Sequence, residues 1–203
     1  MGQRRWLQAW LALLLVLFLL SVGWRNLPEE QSQARYEEPL YEYTHDGGPA
    51  SITGGHVYRG SDVPSLVGRY VFGDFTLGSI WALDRTDNAS EVELLVDSLE
   101  DPGWEARLSA STFGVDDAGE LYVADWSGTI WRFTEASGSV VLVDAFPGLQ
   151  FEHPVGIVAT GDDRICVVEQ PGRIICLQSG NPTVLLNITG VVNDADWEQG
   201  LLG

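Results

Sequence analysis

No lysine occurs in this sequence. Its eleven strongly basic residues are all arginine and stand against 29 acidic ones, for a formal net charge of −18 at pH 7. So acidic a surface repels phosphate backbones, which argues against nucleic acid as a partner. Cysteine is nearly missing too: Cys166 and Cys176 are the only two, and no residues have zinc-ligand spacing. Helical periodicity is the third absence, since after residue 25 no stretch repeats its apolar side chains every 3.6 positions. The apolar residues, 45% of the chain with eight tryptophans among them, come instead in short runs. That is ample material for a folded core, and the chain is expected to be all-β.

One pattern recurs three times: "RYVFGDFTLGSIWAL" at 69–83, "ELYVADWSGTIWRF" at 120–133 and "RICVVEQPGRIICL" at 164–177. Each copy has an apolar run, an acid (Asp74, Asp125, Glu169), a turn glycine (Gly78, Gly128, Gly172) and a second apolar run. Tyr70, Tyr122 and Cys166 are read as equivalent. A repeat of about 45 residues with paired strands indicates a radial β architecture, in which both faces of each sheet are buried and apolar runs replace strict alternation. The acids are read as turn-capping acceptors rather than catalytic groups. A first strand is expected near Leu40–Tyr43, a turn-rich stretch over 45–55, and further strands at 55–60, 91–99, 139–146 and 183–191. By this count the chain holds about half of a β-propeller, three to three and a half blades. Because the sequence stops within the apolar pattern "EQGLLG", it is expected to be truncated. An open ring leaves two blade faces unburied, so the fragment is not expected to fold stably alone.

The ends and the cysteines leave alternatives open. Residues 1–25 carry Arg4 and Arg5 before an apolar run of about 19 residues, which reads equally as a cleaved export signal or as a membrane anchor over residues 6–24. Either places the remainder outside the cytoplasm, extracellular or periplasmic. Residues 26–37 form an acidic linker. Cys166 and Cys176 are read first as two small buried apolar residues. A disulfide is the alternative, which export would permit and a three-residue loop would align.

The strings "SITGGHVYRG", "GRYVFGDFTLGSIWAL" and "FGVDDAGELYVADWSGTIWRF" resemble the late blades of the glucose/sorbosone dehydrogenase family. "FEHPVGIVATGDDRICVVEQPGRI", with "VVNDADWEQGLLG" after it, resembles that family's first blade. Residues 38–145 would then be a late-blade segment and 146–203 a first-blade segment, in permuted order. The resemblance implies a six-bladed propeller and oxidation of the C1 hydroxyl of aldose sugars. Its cofactor would be pyrroloquinoline quinone (PQQ), with an external or membrane electron acceptor as partner. The family's catalytic histidine would lie beyond Gly203, so no catalytic residue is assigned within the chain, which is read as a fragment of such an enzyme. His45, His56 and His153 are given structural or solvent-facing roles.

For the cofactor the resemblance points to three residues. A basic Arg-x-Arg stretch corresponds to "ARLSA", with Arg107. A glutamine falls at Glu198 in an ungapped match, with Gln199 beside it as the better partner for a tricarboxylate. The family's lysine position is most nearly Thr76. Asn193, Asp194 and Asp196 form a weaker candidate for calcium. The alternative reading, from a different class, is a non-catalytic propeller that binds a protein or glycan at its rim.

Overall fold

The computed structural model describes residues 39–44, 46, 48–86, 89–98, 107–194 and 199–201. The signal or anchor segment, the acidic linker, His45, Asp196 and Glu198 lie outside them. Twelve strands form three four-stranded antiparallel sheets, each a simple up-and-down meander. The first sheet is β1 (Ile52–Val57), β2 (Tyr70–Asp74), β3 (Ser79–Thr86) and β4 (Ala89–Asp97). The second is β5 (Ala110–Val115), β6 (Leu121–Asp125), β7 (Ile130–Ala136) and β8 (Ser139–Asp144). The third is β9 (Pro154–Ala159), β10 (Arg164–Glu169), β11 (Arg173–Gln178) and β12 (Asn181–Asn187). The only helical element among the described residues is one 3-10 turn, Pro64–Leu66. None of their helices is long and apolar enough to cross a membrane.

Strand β6 shows why the runs are apolar. All five of its residues are buried. Alternate side chains of a strand point to opposite faces, and each face here meets another sheet. Leu121 and Val123 join Val71, Ile80 and Ala82 of the first sheet, with Phe113 and Phe133, in one core. Tyr122 and Ala124 join Ile130 and, from the third sheet, Ile157, Ile165 and Val167 in a second. A fully buried Leu or Val contributes about 1.5–3 kcal/mol, so both cores are needed to hold the middle sheet. The first strands of successive sheets lie closest together: a Cβ added at Gly114 of β5 would sit 2.5 Å from Ile157 Cβ of β9. Sheets of this kind, stacked face to face through their first strands, are propeller blades. The fold is all-β, and the described residues form three of them.

Several expectations need correction. Residues Leu40–Tyr43 are irregular rather than a strand, and β1 begins at Ile52, inside the stretch read as turns. Asp74 pairs with Ser79 across a four-residue loop, whereas Glu169 pairs with Arg173 across three residues. Tyr70 stands four residues before its acid, whereas Tyr122 and Cys166 stand three before theirs, so the residue equivalent to them is Val71, not Tyr70. The preferred reading of Cys166 and Cys176 as separate buried residues is also wrong. They form a disulfide between directly opposed positions of β10 and β11, with Cα atoms 3.9 Å apart. The three-residue loop sets that register. The turn glycines have positive φ, and Gly128 shows why: at φ +115°, an added Cβ would meet Phe151 O at 2.3 Å.

Candidate functional site

Antiparallel pairing brings the start of each first strand, the loop after each second strand and the end of each fourth strand to one end of the sheets. A backbone bond repeats there in every blade. The amide after the acid donates to the carbonyl just before the first strand: Phe75 to Ser51 (2.9 Å), Trp126 to Ser109 (2.9 Å) and Gln170 to His153 (3.1 Å). This fixes the residue after the acid at the mouth, beside the next blade. Phe75 meets Trp126 edge-on, with ring centroids 6.2 Å apart. Trp126 in turn stacks on His153 at 4.4 Å and 7°. Three blades thus contribute one arc of aromatic rings, half-buried at Phe75 and Trp126 and exposed at His153. His153 holds φ at +46°, a conformation that costs a non-glycine residue energy and that the carbonyl bond and the ring stack sustain.

The acids behind the arc are acceptors, as the sequence implies. Asp74 takes five hydrogen bonds. Its Oδ1 accepts from the Thr76 and Leu77 amides (both 2.7 Å) and from Thr76 Oγ1 (2.8 Å). Its Oδ2 accepts from the Tyr43 hydroxyl (2.6 Å) and the Ser51 amide (2.7 Å). Burial alone would push its pKa up; those donors outweigh it and hold the carboxyl below the ordinary aspartate range. Asp125 Oδ1 accepts from the Ser127 amide at 2.9 Å. Glu169 is fully buried; it accepts from the Glu152 amide at 2.7 Å and from Arg173 Nε. None of the three is open to a substrate.

The residues named for the cofactor fall on different blades. Arg107 is exposed and belongs to the turn of the first blade, where its Cγ is close to Gly78. Gln199 leads into Gly200 and Leu201, which pack on Gln170 in the third blade; the Leu201 amide donates to Gln170 O at 2.8 Å. The loop carrying Trp126, in the middle blade, lies between them in chain order. Thr76 is committed through its amide and hydroxyl to Asp74, and through its hydroxyl to Pro49 O as well. Of the described basic side chains at this end, Arg107 is exposed and Arg173 is ion-paired with Glu169 and Glu152. A tricarboxylate needs several cations or free amide donors, and the described residues do not offer that set. They do not fit PQQ. No group of three or more His, Cys, Asp or Glu side chains among them is arranged to hold a metal.

A second polar centre lies at the opposite end and ties the first two blades together. Glu120 accepts from the Tyr58 hydroxyl (2.5 Å) and from the amides of Ser61 (2.6 Å) and Asp62 (3.1 Å). The Tyr58 oxygen itself accepts from the Val63 amide at 2.9 Å. Tyr58 is 0% and Glu120 6% exposed, so this is an internal lock. Neither it nor the aromatic pair Phe75 and Trp126 figures among the residues singled out in the sequence, where His153 alone of the arc is named, with a structural or solvent-facing role. Phe75 and Trp126 were within reach there, as the position after the repeated acid; in the third blade that position is Gln170, and the ring comes from His153 before the first strand.

No family model matches the chain. Among solved structures it is similar to a catalytically inactive virginiamycin B lyase from Staphylococcus aureus with quinupristin, also a β-propeller. The match has 23% identity and a TM-score of 0.46, covering 76% of this chain and 45% of that one. The chain thus spans less than half the length of that protein.

Proposed function

We propose that this chain supplies part of the sugar-binding mouth of an exported propeller of the glucose/sorbosone dehydrogenase type. The observation that carries the reading is the Phe75–Trp126–His153 arc. Aromatic faces at a half-exposed rim suit the apolar face of a pyranose ring, and the His153 imidazole adds a polar edge for its hydroxyls. The surrounding carboxylates, held by internal donors, leave a neutral ring as the better ligand than an anion. The Cys166–Cys176 disulfide supports an oxidising compartment and hence export. Oxidation of the sugar C1 hydroxyl with PQQ, and delivery to an external or membrane acceptor, is what the family resemblance adds. The described residues lack its cations, so that step requires groups contributed from elsewhere.

Titration of the full chain with glucose and other aldoses, followed by tryptophan fluorescence, tests the binding. Saturable quenching is expected, weakened about tenfold by Trp126→Ala through loss of the stacking face. Absence of saturation with every aldose tested would overturn the proposal. A parallel titration with PQQ separates the enzyme from the alternative. A sugar-dependent change in the quinone spectrum favours the dehydrogenase; sugar binding without it favours a non-catalytic glycan-binding propeller.

A further inference from the structure

The last residue of each fourth strand is a short side chain with an acceptor oxygen: Asp97 in β4, Asp144 in β8 and Asn187 in β12. In the second blade, Asp144 Oδ1 accepts from the amide two residues on, that of Phe146, at 2.9 Å. Asn187 Oδ1 accepts likewise from the Thr189 amide at 3.2 Å, and also from the Thr189 hydroxyl at 2.9 Å. Such a turn needs only the side-chain oxygen, which aspartate and asparagine supply alike. The fold thus accounts for an acceptor at position 187. It does not call for an amide nitrogen there, nor for a hydroxyl two residues later, where the second blade has the half-buried Phe146 packed on its core. Asn187-Ile188-Thr189 is an Asn-x-Thr triplet, the acceptor sequence for an N-linked glycan.

We propose that Asn187 is a glycosylation site, a proposal that rests on the export read from the N-terminal segment and supported by the disulfide. Asn187 and Thr189 are both exposed. That openness belongs to the position rather than to this blade, since Asp144 stays half-exposed with the third blade packed beyond it. Both side-chain hydrogen bonds of Asn187 go to Oδ1, and among the described residues Nδ2 has no partner. Donors on the amide oxygen favour charge there and so ease loss of an N–H proton. Nδ2 attacks the anomeric carbon of a lipid-pyrophosphate-linked oligosaccharide, supplied by the exporting membrane. The Nδ2–C1 bond forms, the C1–O bond to phosphate breaks, the lipid pyrophosphate leaves and Nδ2 gives up one proton. No oxidation state changes. Strand β8 ends on a charge, whereas β12, the outermost strand of its sheet, carries none. An uncharged outer edge is prone to pair with other chains, and a hydrated glycan at its end guards it.

Peptide mapping by mass spectrometry tests this on the full chain recovered from the cells that make it, fractionated into cytoplasm, membrane and exterior. Mapping keeps Asn187 apart from the other such triplet, Asn88-Ala89-Ser90. The peptide that holds Asn187 is expected to carry a glycan in the exported chain. Asn187→Asp keeps the turn oxygen but has no amide nitrogen, so it should lose the glycan with an unchanged circular dichroism spectrum. Thr189→Ala should lose it as well, and Thr189→Ser should retain it. An exported chain with a bare Asn187, or a glycan that survives Thr189→Ala, would overturn the site while leaving export intact. A chain confined to the cytoplasm would overturn export and the site with it.

Discussion

At the scale of single residues, the most consequential polar group is Glu120. Burial raises its pKa, but the Tyr58 hydroxyl and the Ser61 and Asp62 amides outweigh that and hold it below the usual glutamate range. Asp74 behaves alike. A carboxyl with a lowered folded pKa contributes stability that is complete above the unfolded value and lost as pH falls through the folded one. The protein should therefore be steady above about pH 4–5 and lose stability progressively below it. Glu120→Gln leaves one oxygen to accept from the Ser61 and Asp62 amides but sets an NH2 donor where the other oxygen accepts from the Tyr58 hydroxyl, so it should cost about 1–3 kcal/mol at neutral pH and flatten the acid limb. Thermal denaturation of both proteins between neutral pH and the acid limb checks the cost and the slope together; an unchanged slope would show that Glu120 does not drive the acid loss.

At the scale of elements, the hairpins are legible because each repeats the same sentence: apolar run, acid, glycine, apolar run. Their register is not. Tyr70 stands four residues before Asp74 and Tyr122 three before Asp125, and a one-residue shift exchanges the two faces of a strand. That is why Tyr70 resembles Tyr122 in the sequence and yet faces the other way. The cysteines were undecidable for the same reason, since loop length alone sets whether they oppose each other. Closing a loop of ten residues' separation, the disulfide should add about 2–3 kcal/mol. Chemical unfolding of the Cys166→Ala, Cys176→Ala protein against the native one measures it. A difference near zero would mean that cross-strand packing of β10 on β11 suffices.

At the scale of the whole molecule, repeat period and run composition were enough for blades, and for a count near three. The mouth was less legible, because its arc joins residues about 78 positions apart in chain order whose proximity depends on blade-to-blade stacking. The lone covalent cross-link among the described residues staples two strands of one blade and joins no blade to another. Tension applied between the chain's ends would therefore meet three separable units in series. The third should pay out about 35 Å less chain than its length allows, the slack between Cys166 and Cys176. In an optical trap, adding a reductant should restore that missing extension to one rupture step and leave the other two unchanged.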